Sequence, residues 1–135
     1  PYAEAARAAG LDLVMIAAPN TPGQTLTRIA RLSSGYTYCV ARMGVTGIRD
    51  DLALQHERLF ADLKRLDAPP PVLGFGISTP VQVREAIEAG AAGVISGSAI
   101  VKLAAQGGDA PAAVATFVAA MKDAPRGENG AAGED

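Results

Sequence analysis

With 135 residues, 49% hydrophobic and 19% charged, the chain is long enough for one domain with its own core and too apolar to be a disordered segment. Twelve basic residues against fourteen acidic ones leave a net charge of −2; no basic cluster stands out and only three Phe and three Tyr are present, which argues against a nucleic-acid surface. No apolar run is long enough to cross a bilayer, and Cys39, the single cysteine, excludes an intrachain disulfide and fits a cytoplasmic setting.

The first residue is Pro1 and not methionine, and it stands at the start of a helical pattern over 2–9 that Gly10 closes as a C-cap. The expectation is therefore the C-terminal part of a longer protein, in which a missing signal peptide carries no information. Short β-rich runs then alternate with helical patterns, as in a parallel α/β sheet. Strands are expected at 13–17, 36–40, 72–75 and 93–96, and helices at 22–32, 51–66 and 80–89. The apolar spacing is helical: Leu26, Ile29 and Ala30; Leu52, Leu59, Leu63 and Leu66; Val83, Ala86 and Ile87. A short helix follows over 98–103, and a last one over 111–122 carries Val114, Phe117, Val118 and Met121 on one face.

A small repeat supports these assignments. Thr21-Pro22-Gly23-Gln24 and Thr79-Pro80-Val81-Gln82 both fit a capping box, with Thr at the N-cap, Pro at N1 and Gln three residues on. Four βα units fill the chain, whereas a whole (β/α)8 barrel takes about 250 residues. The expected fold is thus α/β, the C-terminal half of a TIM barrel over 1–122, with four parallel strands and flanking helices. A Gly-, Ala- and Glu-rich tail over 123–135 is expected to be disordered. The structural alternative is a small, complete doubly wound sheet. A half-barrel would leave two open edges, at the first and last strands, and an uncovered inner face.

Two motifs carry chemistry. Gly74-Phe75-Gly76 and Ser96-Gly97-Ser98 each follow an apolar run and lead into a helix. Small residues at successive strand ends let backbone N–H groups approach an anion closely, and in (β/α)8 barrels the phosphate site is built from the loops after the last two strands and a short helix N-terminus. The pair points to a phosphorylated small molecule, whereas either motif alone would fit packing glycines. A third segment, Arg42-Met43-Gly44-Val45-Thr46-Gly47, has two glycines that would let a loop fold over a ligand; a surface turn fits the same pattern. Tyr38 and Phe75 suit core positions as well as a pocket, and Arg42 suits a structural ion pair. His56 has no partner at metal-ligand spacing and is expected at the surface of its helix. Cys39 is expected as a small buried side chain, and Glu85 and Glu88 as part of a polar helix face.

Taken together, Gly35-Tyr36-Thr37-Tyr38, Arg42-x-Gly44-Val45-Thr46-Gly47, Gly74-Phe75-Gly76-Ile77-Ser78, Gly90-Ala91-Ala92-Gly93 and Ile95-Ser96-Gly97-Ser98-Ala99-Ile100-Val101-Lys102, with Ala18-Pro19-Asn20 ahead of them, resemble the tryptophan synthase α-subunit family in order and spacing. The resemblance runs from Tyr2 to Lys122. It implies cleavage of indole-3-glycerol phosphate to indole and glyceraldehyde 3-phosphate, without a cofactor, by a glutamate and an aspartate upstream of this sequence; no carboxylate here matches them, so no catalytic residue is assigned. It implies that Gly47, Gly76, Gly97 and Ser98 hold the phosphate through backbone N–H groups, that Phe75 and Tyr38 line the pocket, and that Thr46 meets the catalytic aspartate when its loop closes. The implied partner is the β subunit, in an α2β2 assembly in which the β subunit alone uses pyridoxal phosphate. Ala41 departs from the serine often found before the arginine. Two rival readings stand beside this one: another phosphate-binding barrel enzyme, such as an isomerase or synthase acting on a phosphoribosyl anthranilate derivative, and a catalytically inert phosphate- or subunit-binding module.

Overall fold

Six helices and four strands run through residues 1–40, 49–74 and 76–124, the residues described by the structure, a computed structural model. In chain order these are α1 (Tyr2–Ala8), β1 (Ile16–Ala17), α2 (Gly23–Leu32), β2 (Thr37–Val40), α3 (Arg49–Arg65), β3 (Pro71–Gly74), α4 (Pro80–Glu88), β4 (Gly93–Val94), α5 (Ser98–Ala105) and α6 (Ala110–Asp123). Every strand pair is parallel and the order is β1-β2-β3-β4.

The register divides the sheet into two faces, because partners across a parallel ladder point the same way and successive residues point opposite ways. One row runs Ala17, Cys39, Leu73 and Val94. Its first three members are buried with Leu26 and Ile29 of α2, Leu59, Phe60 and Leu63 of α3, Val83 and Ala86 of α4 and Met121 of α6, and Val94 packs against them. The next row runs Ile16, Tyr38, Val72 and Gly93. Here Ile16 is 63% exposed, and Tyr38 and Val72 are only half-buried. The helical core thus lies on one face of the sheet. A doubly wound sheet would cover both faces and reverse its strand order at a switch point, and neither occurs among the described residues. The four-stranded half of a barrel is the fold, with β1 and β4 as its edges.

Local chemistry explains most element ends. Gly10 (φ 69°) and Gly90 (φ 113°) lie just past α1 and α4 in the left-handed region that closes a helix. At the start of α4 the Thr79 hydroxyl accepts from the Gln82 N–H at 3.3 Å, while the Gln82 side chain accepts from the Thr79 N–H at 3.1 Å. This completes the expected capping box. Thr79→Ala should therefore cost about 1 kcal/mol, seen as a lower urea midpoint with an unchanged slope. The matching motif at Thr21 does not cap. Pro22 is extended (ψ 146°), α2 begins at Gly23, and the Thr21 hydroxyl accepts from the Ala18 N–H at 2.9 Å instead, closing the turn that ends β1.

Three further expectations are corrected. The outer strands are shorter than expected: β1 pairs only at Ile16–Ala17, since the Leu13 N–H donates to the Ser34 hydroxyl at 2.8 Å and not to the ladder. In β4 pairing ends at Val94, and the Ser96 hydroxyl donates to the Ile77 carbonyl at 2.6 Å, tying together the segments that follow β3 and β4. His56 is buried, not on the surface, with its ring 6.1 Å from that of Phe60 one turn on. Its position, four residues after Leu52 and three before Leu59, puts it on the apolar face of α3. Finally, α6 continues through Asp123, and Ala124 is buried with its carbonyl accepting from Arg84 Nε at 3.3 Å. Asp123 and Ala124 thus belong to the folded body; the rest of the expected tail, 125–135, lies outside the described residues. Among the described residues no helix is long and apolar enough to cross a membrane.

Candidate phosphate-binding site

At the C-terminal ends of β3 and β4, Gly76, Ser78, Ser98, Ala99, Lys102, Leu103 and Phe117 line a cleft of about 330 Å³. Two of the expected phosphate residues, Gly76 and Ser98, are on its wall; Gly97 is the N-cap of α5, immediately before Ser98. Among the described residues the backbone N–H groups of Gly76, Gly97 and Ser98 have no hydrogen-bond acceptor. For Ser98 this follows from helix geometry, since the first turn of a helix leaves its N–H groups unpaired and facing outward. Nothing caps α5 from a side chain. Unpaired N–H groups at a helix N-terminus, with the helix dipole behind them, suit an anion.

The three glycines of the two motifs serve different ends. Gly74 is a packing glycine: a β-carbon there would come within 2.8 Å of the Tyr38 ring, which crosses the inner face of the sheet from β2. Gly76 adopts φ 78°, a conformation that other residues rarely take. Gly97 has neither reason. Its φ is −120°, and a β-carbon would meet no atom within 4 Å. The fold leaves room for a β-carbon at Gly97, directly beside the unpaired N–H groups.

The remaining expected site residues are not gathered at this cleft. Tyr38 is on the inner face over Gly74 and is not on the wall. Gly47, Thr46 and Phe75 lie outside the described residues, as does Arg42. Ser78, Ala99, Lys102, Leu103 and Phe117 were not singled out for this wall from sequence. Ala99, Lys102 and Leu103 could have been found, because with Ser98 they form one face of α5 at i, i+1, i+4 and i+5. Among the described residues no carboxylate is on the wall, and no group of three or more His, Cys, Asp or Glu could hold a metal. Cys39 is fully buried and burial pushes its thiol up to about 12, so it is neutral and unreactive at neutral pH.

Comparison with known proteins places the chain in a family. The family model described as tryptophan synthase alpha chain matches residues 1–126. The tryptophan synthase alpha chain of Aeromonas hydrophila is 53% identical over 103 residues, covering 76% of this chain and 38% of the relative. That of Vibrio cholerae is 45% identical over 130 residues, covering 93% of this chain and 48% of the relative. Among solved structures, one from Pyrococcus furiosus, described as that of the tryptophan synthase α2β2 complex, superposes with a TM-score of 0.75 at 33% identity, over 90% of this chain and 49% of that one. The chain spans half or less of the length of these relatives. With a family match over nearly its whole length and a half-barrel carrying the two glycine motifs at its strand ends, the chain belongs to the tryptophan synthase alpha chain family.

Proposed function

We propose that this chain is the phosphate-binding half of a barrel that cleaves indole-3-glycerol phosphate to indole and glyceraldehyde 3-phosphate in tryptophan biosynthesis. The observation that supports it most is Gly97: a glycine that backbone and packing do not require, at the head of a helix beside unpaired N–H groups. In this reading the N–H groups of Gly76, Gly97 and Ser98, joined by Gly47, hold the phosphate. Tyr38 and Phe75 line the pocket for the rest of the substrate, and Thr46 belongs to a loop that shuts out water. In the reaction a proton is delivered to the indole ring carbon as the ring nitrogen's proton is withdrawn; the hydroxyl beside the ring then gives up its proton to become the aldehyde as the carbon–carbon bond breaks, and the ring nitrogen regains a proton. The glutamate and aspartate that move those protons come from the other half of the barrel. The reaction draws on no cofactor, the β subunit is the partner that receives indole, and the setting is cytoplasmic.

The test is binding of glycerol 3-phosphate to the chain and to Gly97→Asp by titration calorimetry. A β-carbon at Gly97 meets no atom within 4 Å, so circular dichroism should not change, while like-charge contact should weaken binding by about tenfold or more. Equal affinity in the two proteins would overturn the phosphate reading.

A further inference from the structure

We infer that Lys102 supplies the positive charge of the phosphate cleft, so that the site selects a dianionic phosphomonoester by charge as well as by backbone N–H groups. The inference rests on the reading of this cleft as the phosphate site. Lys102 shares the cleft-lining face of α5 with Ser98, Ala99 and Leu103, one helical turn after Ser98. Helical side chains lean toward the N-terminus and cover the preceding turn. The Lys102 stem is thereby carried back over Ser98, toward the unpaired N–H groups.

The ammonium is uncommitted: among the described residues it forms no ion pair or hydrogen bond. It is also the one charged side chain on the described wall of the cleft, with no carboxylate beside it to neutralise it. Backbone N–H groups and a helix end present only partial charges, which leaves most of a dianion's charge unbalanced in a cleft open to solvent. A full cation within one turn meets that need. Lys, as a mobile point charge, can follow a phosphate without the fixed fork that Arg imposes.

The experiment is titration of the full chain with glycerol 3-phosphate at low and high salt, for wild type, Lys102→Gln, Lys102→Arg and, as a distant exposed control, Lys64→Gln. At ~50 mM salt the expected result is about three- to tenfold weaker binding for Lys102→Gln, between the effect of an exposed ion pair and that of a charged hydrogen bond. Lys102→Arg should keep most of the affinity, and Lys64→Gln all of it. At ~1 M salt, where charges are screened within ~3 Å, the Gln variant and wild type should converge. A Gln variant that binds like wild type at low salt overturns the role of Lys102 while leaving the phosphate site standing. So does a loss shared by Gln and Arg and unaffected by salt, which would mark a structural role. A wild-type chain that binds no glycerol 3-phosphate overturns the site and this inference together, before any variant is compared.

Discussion

Purified as a 135-residue chain, the protein should release no measurable indole from indole-3-glycerol phosphate, even where it binds the phosphate. Carbon–carbon cleavage here needs one proton delivered and another withdrawn, and a positioned acid or base contributes about 10²- to 10⁴-fold in rate. The described residues offer no substitute. No carboxylate lines the cleft. His56 is buried on the helical side of the sheet against Phe60, and the Cys39 thiol is buried and held neutral. Binding without proton transfer stabilises substrate and transition state alike and does not accelerate the chemical step. The measurement is indole formation at substrate concentrations that saturate the cleft. Substrate-dependent release that Gly97→Asp abolishes would show catalysis by this chain itself and would sink the assignment of the acid–base pair to the other half.

The largest effect on stability should come from Leu63→Ala. Leu63 is fully buried, on the face of α3 that packs against the sheet, within the core shared by Leu59, Phe60 and Cys39. Removing three carbons there loses their transfer energy and leaves a cavity that the surrounding side chains fill only in part, at a cost of about 3 kcal/mol. Whole domains are stable by only about 5–15 kcal/mol, and this chain has a helical core on one face of its sheet. The expected outcome is a large drop in the urea midpoint, with a substantial unfolded population in buffer alone. Leu11→Ala is the comparison, because Leu11 is 64% exposed and its loss should stay within about 0.5 kcal/mol. Similar midpoints for the two variants would mean that the core does not centre on α3.

Much of the fold was legible in the sequence because its signals are local. The Leu59-Leu63-Leu66 spacing, the Thr79-x-x-Gln82 box and the glycine after α1 each act within one or two turns of chain, where backbone geometry leaves few alternatives. His56 follows the same periodicity, and its place on the apolar face of α3 buries it despite its polar ring. The two Thr-Pro motifs show where local reading ends: they differ little in sequence, yet Thr79 caps a helix and Thr21 bonds to Ala18 because of the turn that precedes it. The glycine-rich strand ends identified the family and pointed to phosphate, but they could not say what each glycine is for. Gly74 makes room for a ring from the neighbouring strand, while Gly97 faces open space. That distinction, like the burial of one sheet face and exposure of the other, or the meeting of Gly76, Lys102 and Phe117 around one cleft, depends on residues tens of positions apart. Only tertiary structure decides such matters, since long-range packing sets which surfaces meet, and no short-range pattern encodes it.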